Sequence, residues 1–94
     1  MDVQRYLGRL DAVKRKISDE DVESNLNVLG DNVMGLYEAS EEQDFVNVLR
    51  LASGVGERCE KLESFLDGDD WNMLCSEGVD DVFEQVASEL SKKG

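Results

Sequence analysis

The chain contains no proline, threonine or histidine, and each absence removes a class of structure or chemistry. Average usage would put roughly five prolines in a chain of this length. Without them, no ring clash or missing N–H interrupts a helix. Without histidine, no side chain titrates near neutrality in its ordinary state, so acid–base work would fall to carboxylates on solvated helix faces. Neither cysteine has an imidazole to activate it. The same absences would follow from a coding strand poor in C, since Pro, Thr and His codons all contain C. That composition hints at a viral or mobile-element accessory protein.

Cysteine, aromatic residues and long apolar runs are scarce. Cys59 and Cys75 form no CxxC or Cys/His spacing, which predicts buried reduced thiols and no zinc site. No stretch approaches the roughly 20 apolar residues of a membrane span, and the N-terminus MDVQRYLGRLD lacks the charged-then-apolar order of a signal peptide. An intracellular, cytoplasmic protein without membrane contact is expected. The 94 residues form a single domain, 1–94, whose thin stability margin a partner or a second copy would improve. So short a chain has no room for a deep enzyme cleft.

Basic residues are few and unevenly placed. Residues 1–17 carry five basic and two acidic side chains, whereas residues 18–94 carry five basic and twenty acidic ones, within a net charge of −12. The acidic body excludes direct nucleic-acid binding, which needs a basic face. The basic first helix is expected to neutralise the acidic helices it packs against.

What is present is helical periodicity. Val3, Leu7, Leu10, Val13 and Ile17 mark an amphipathic helix over 2–17. Ser18, followed by three acids, caps a second helix, in which Val22, Leu26, Leu29, Val33 and Leu36 repeat at steps of four and three. Gly30 and Gly35 lie inside that pattern, where close approach of another helix would explain them; a bend or early stop at Gly35 remains open. Ser40-Glu41-Glu42-Gln43 has the form of a capping box and begins a long central helix, about 40–66. Its seam is Phe45, Val48, Ala52, Val55, Cys59, Leu62 and Leu66. The seam stays in phase across Ser53-Gly54-Val55-Gly56, which argues for continuity or a mild kink. Gly68 is a candidate left-handed residue past the end of that helix, and an Asp is ready to cap the next. A short cluster of Trp71, Met73, Leu74 and Cys75 follows, with Trp71 closing the bottom of the core. Ser76-Glu77-Gly78 resets the chain before a last amphipathic helix of Val79, Val82, Phe83, Val86, Ala87 and Leu90 and a polar tail through Gly94.

No motif for chemistry survives inspection. Counted as a calcium loop from Asp67, the acidic turn has Trp71 at position 5, Asn72 where glycine is needed and Gly78 where glutamate is needed. Gly54-Val55-Gly56 lacks the third glycine of a dinucleotide loop and follows a helix rather than a strand. No enzymatic activity, catalytic residue, cofactor or metal is expected.

Val55-Gly56-Glu57-Arg58-Cys59-Glu60-Lys61-Leu62, preceded by Val48-Leu49-Arg50, resembles the central segment of the helical N-terminal domain of transcription elongation factor S-II, a small bundle that docks onto transcription partners. The resemblance covers under a fifth of the chain and needs a one-residue insertion before Val55. It lacks the family's basic run and closing Trp, so no family assignment follows.

The resulting expectation is an all-α protein, a small helical bundle of four to five helices whose second and third form a central antiparallel pair. Val46, Leu49 and Leu51 lie beside the seam of the third helix, and Val28, Met34 and Tyr37 beside that of the second, more apolar surface than a small bundle covers. The expected function is noncatalytic protein interaction, with self-association to a homodimer through Leu36, Tyr37, Val46 and Leu49. The alternative is an acidic inhibitor or nucleic-acid mimic that occupies a basic site on a target protein through residues such as Glu41, Glu42 and Asp44.

Overall fold

A computed structural model describes residues 3–92, and its regular structure is helical, with no strand among the described residues. The helices are α1 (Val3–Lys14), α2 (Glu20–Glu41), α3 (Phe45–Leu62), α4 (Gly68–Trp71) and α5 (Glu77–Ser91). A π-helical turn, Asn72–Ser76, joins the last two without a break. The expected helix start at Asp2 and the tail residues Lys93 and Gly94 lie outside the described residues. The molecule measures 43 × 21 × 17 Å.

The long central element is α2, with 22 residues. The Asp19 carboxylate caps it, accepting from the backbone N–H groups of Asp21 and Val22 at 2.8 and 3.4 Å, one residue after the expected cap at Ser18. Because α1, α3 and α5 all pack on α2, its Leu26, Leu29, Val33 and Leu36 are fully buried. Two of its glycines permit those approaches. A Cβ on Gly30 would lie 2.7 Å from Leu10 of α1, and one on Gly35 would lie 3.2 Å from Leu51 of α3. The helix runs through Gly35 without stopping. In return, a Cβ on Gly54 of α3 would lie 3.2 Å from Asn32 of α2. The contacts 35–51 and 32–54 step in opposite directions along the two helices, so α2 and α3 are the expected antiparallel pair.

The expected helix over 40–66 is a misassignment of its boundaries. Ser40 belongs to the last turn of α2, where it is fully buried and its Oγ donates to the Tyr37 carbonyl oxygen at 2.6 Å. Gln43 takes a left-handed conformation, φ 60°, and ends α2. Asp44 N–H bonds to Ala39 O at 2.9 Å and Gln43 N–H to Ser40 O at 3.2 Å, the paired closure of a Schellman motif. Asp44 then caps α3, accepting from the Asn47 N–H at 3.2 Å. The helix runs unbroken through Gly54 and Gly56 to Leu62, as in-phase spacing predicts.

Ser76-Glu77-Gly78 is not a break either. The chain passes through a π-helical turn, and Gly78 is needed for packing: a Cβ there would collide with the Met73 carbonyl oxygen and lie 3.0 Å from the Tyr6 ring. The fully buried Tyr6 donates its hydroxyl to the Leu74 carbonyl oxygen at 2.7 Å. Gly68 has no positive φ and begins α4 instead, with Asp67 accepting from the Asp70 N–H at 2.8 Å.

α1 ends at Lys14, short of the expected Ile17, and basic residues on it and in the turn after it meet acidic neighbours. Arg9 lies 3.7 Å from Asp81 of α5, and Lys16 Nζ donates to Asp70 of α4 at 2.8 Å. That bond to Asp70 raises the Lys16 pKa above its ordinary value.

Candidate functional site

α3 and α5 both rest on α2 and diverge enough to leave a groove between them. Leu36, Val48, Ala52, Val86 and Leu90 line it together with Phe83 and Ala87, enclosing about 160 Å³. Pockets for small molecules run to roughly 300–1,000 Å³, so the groove is sized for inserted side chains. No polar residue lines it.

The groove continues onto the exposed side of α3. Phe45 and Leu49 precede Val48 and Ala52 by three residues, which makes them neighbours on the helix surface. Phe45 is 57% exposed, Leu49 72% and Val46 78%, while Phe83 on the α5 side is 38% exposed. α3 thus has two apolar faces. Val48, Val55, Cys59 and Leu62 are buried on the inner one, and Phe45, Val46 and Leu49 form the start of the outer one.

Two features fix this arrangement. Gln43 Nε2 donates to the carbonyl oxygens of Ser40 at 3.2 Å and Glu89 at 3.0 Å, tying the α2–α3 turn to the C-terminal end of α5. At the other end of α3, the half-buried Trp71 donates its indole N–H to Cys59 O at 2.8 Å. Cys59 and Cys75 are reduced and buried there, as expected. A thiol hydrogen bond from Cys75 lowers the Cys59 pKa despite burial, and the same bond, with burial and the Cys59 charge, raises that of Cys75.

The interaction residues expected from sequence fall in different places. Val46 and Leu49 are together on the outer face of α3. Leu36 is fully buried and forms part of the groove floor, because three helices cover α2; it cannot be an exposed contact. Tyr37 is half-buried on α2 and does not line the groove. The open face therefore joins α3 to α5 and not α2 to α3. Sequence reasoning missed Phe45, assigned to the inner seam, and Phe83, Ala87 and Leu90, assigned only to packing. The i, i+4 pair Phe45/Leu49, offset from the seam, was the available signal.

Of the acidic candidates, Glu41 and Glu42 are exposed. Asp44 is half-buried and engaged as the α3 cap, with Asn47 Nδ2 donating to it at 2.6 Å. Among the described residues no group of three or more Cys, Asp or Glu could hold a metal ion, and no helix is long and apolar enough to cross a membrane. Compared with known families, curated proteins and solved structures, the chain matches none of them.

Proposed function

We propose that the chain is a noncatalytic protein-interaction module that self-associates through the outer face of α3 and the adjoining α3–α5 groove. One observation carries this: Phe45, Val46 and Leu49, three large apolar side chains within five residues, are all more than half exposed beside an apolar groove. Single exposed apolar residues are ordinary on protein surfaces, but a contiguous cluster adjoining a concave apolar site favours an interface. Burial of that cluster would offset the thin stability margin of a small domain.

Leu49→Asp and Val46→Asp test the proposal, with mass read by sedimentation velocity. A dimeric wild type reduced to monomer by either substitution is the expected result. A wild type that is monomeric at every concentration would sink it and favour the acidic alternative, binding through Glu41 and Glu42 to a basic target.

A further inference from the structure

Arg50 is exposed on α3 and makes no ion pair or side-chain hydrogen bond among the described residues. The residues three and four positions away are Val46, Asn47, Ser53 and Gly54, so its own helix offers it no acid. Glu57 is exposed seven residues further on. Seven residues are nearly two turns, about 10.5 Å of rise with about 20° of drift, so Arg50 and Glu57 share one flank of the outer face. Ser53 and Gly56 lie between them along the helix, and Leu49 immediately precedes Arg50. A Cβ on the exposed Gly56 would meet nothing within 4 Å, so no neighbour among the described residues accounts for a glycine that weakens the helix.

The geometry points to an antiparallel pairing of α3 with α3 of a second copy, across a two-fold axis near Ser53, that sets Arg50 against the partner subunit's Glu57 and Leu49 over the partner subunit's Gly56. This inference rests on the self-association proposed above and adds its register. A two-fold axis perpendicular to the helix pair reverses chain direction but keeps each flank on its own side. With the axis between Ser53 and Gly54, Arg50 and Glu57 are equally far from it on either side, so each Arg50 meets the partner subunit's Glu57 and symmetry makes the contact twice. Parallel pairing, about an axis that runs along the helices, would carry the charged flank of the second copy to the opposite side of the interface, so Arg50 would not meet the partner subunit's Glu57. The face is thus complementary to itself, which commits it to a second copy. The apolar side chains supply affinity, the ion pairs supply register, and a glycine at the crossing lets the backbones approach.

Sedimentation velocity on the full chain with Arg50→Glu, Glu57→Arg and the double variant tests this. All the changed residues are exposed, so folding is preserved. Each single reversal is expected to weaken the dimer about tenfold, since it makes two repulsive pairs, and the double reversal to return it to within about threefold of wild type. Ser53→Cys should form a disulfide-linked dimer under mild oxidation faster than Glu38→Cys, placed on α2, with wild type as the control for the buried native thiols. A dimer indifferent to both reversals, with no preferential crosslinking at position 53, overturns the register while leaving self-association standing. A monomeric wild type overturns both.

Discussion

The side-chain amide of Gln43 donates to the main-chain carbonyl of Glu89 at 3.0 Å. The residue that terminates α2 thereby adds a second donor to a carbonyl in the last turn of α5, which also accepts from the Lys92 backbone N–H at 3.3 Å. It also sets where α3 begins relative to α5, and so the width of the groove.

Gln43 occupies a conformation that favours glycine, φ 60°, at a cost of roughly 1–2 kcal/mol for a residue with a Cβ. Its two hydrogen bonds offset that cost. Gln43→Ala keeps the backbone strain and loses the bonds, and should destabilise by about 1–2 kcal/mol. Gln43→Gly loses the same bonds but relieves the strain, and should be more stable than the alanine variant by about 1 kcal/mol. Urea denaturation of the pair measures the difference; equal midpoints would show that strain at position 43 is negligible.

Tyr6 and Gly78 together hold the π-helical turn. Gly78→Ala forces a Cβ into the Met73 carbonyl and the Tyr6 ring, and a backbone carbonyl cannot swing aside. The expected loss is about 3 kcal/mol, the upper range for overpacking. Tyr6→Phe keeps the ring and deletes the hydroxyl that bonds Leu74 O, with an expected loss of about 1–3 kcal/mol. Thermal unfolding of the two variants checks both, and a fully stable Gly78→Ala would contradict the close packing described.

Alkaline stability should fall through these same groups. Burial raises the Tyr6 phenol above its ordinary value, and Asp70 raises Lys16. Both groups hold their protons more tightly in the folded state. The unfolded chain thus releases protons first, and stability declines with rising pH. The contribution is fully present below about pH 10, the ordinary tyrosine value, and is lost as pH climbs through the raised folded values. Lys16 is exposed and adds little. Denaturant midpoints across alkaline pH should drop more steeply for wild type than for Tyr6→Phe; parallel curves would remove Tyr6 from the account.

The existence of the helices is legible in the sequence because the apolar steps of three and four residues are regular. The α2–α3 pairing is legible because both stripes are long and both contain small residues. The α2–α3 boundary is not legible. Ser40 to Gln43 has the residue types of a capping box, but the left-handed turn at Gln43 uses no glycine, so nothing marks the stop. The π-helical turn is hidden for a related reason: Gly78 looks like a chain break, whereas it answers to Tyr6, distant in sequence. Leu36 and Phe45 exchange expected places because a stripe shows which residues are apolar, while the number of helices covering α2 decides which are buried.

Leu49 separates interface from stability. At 72% exposure it contributes little to the folded monomer, so Leu49→Ser should change monomer stability by no more than about 0.5 kcal/mol while lowering solution mass. Chemical denaturation at dilute concentration, paired with sedimentation at high concentration, reads the two effects apart. A large loss of stability in the dilute monomer would place Leu49 in the core and contradict its exposure.

Solution mass by light scattering, taken over a concentration series at 0.05 and 0.5 M salt, tests self-association most directly. Apolar association should give a dimer whose mass rises with concentration and persists at high salt, where screening has shortened the Debye length well below its roughly 8 Å at physiological strength. A constant monomer mass at every concentration and both salts would contradict it.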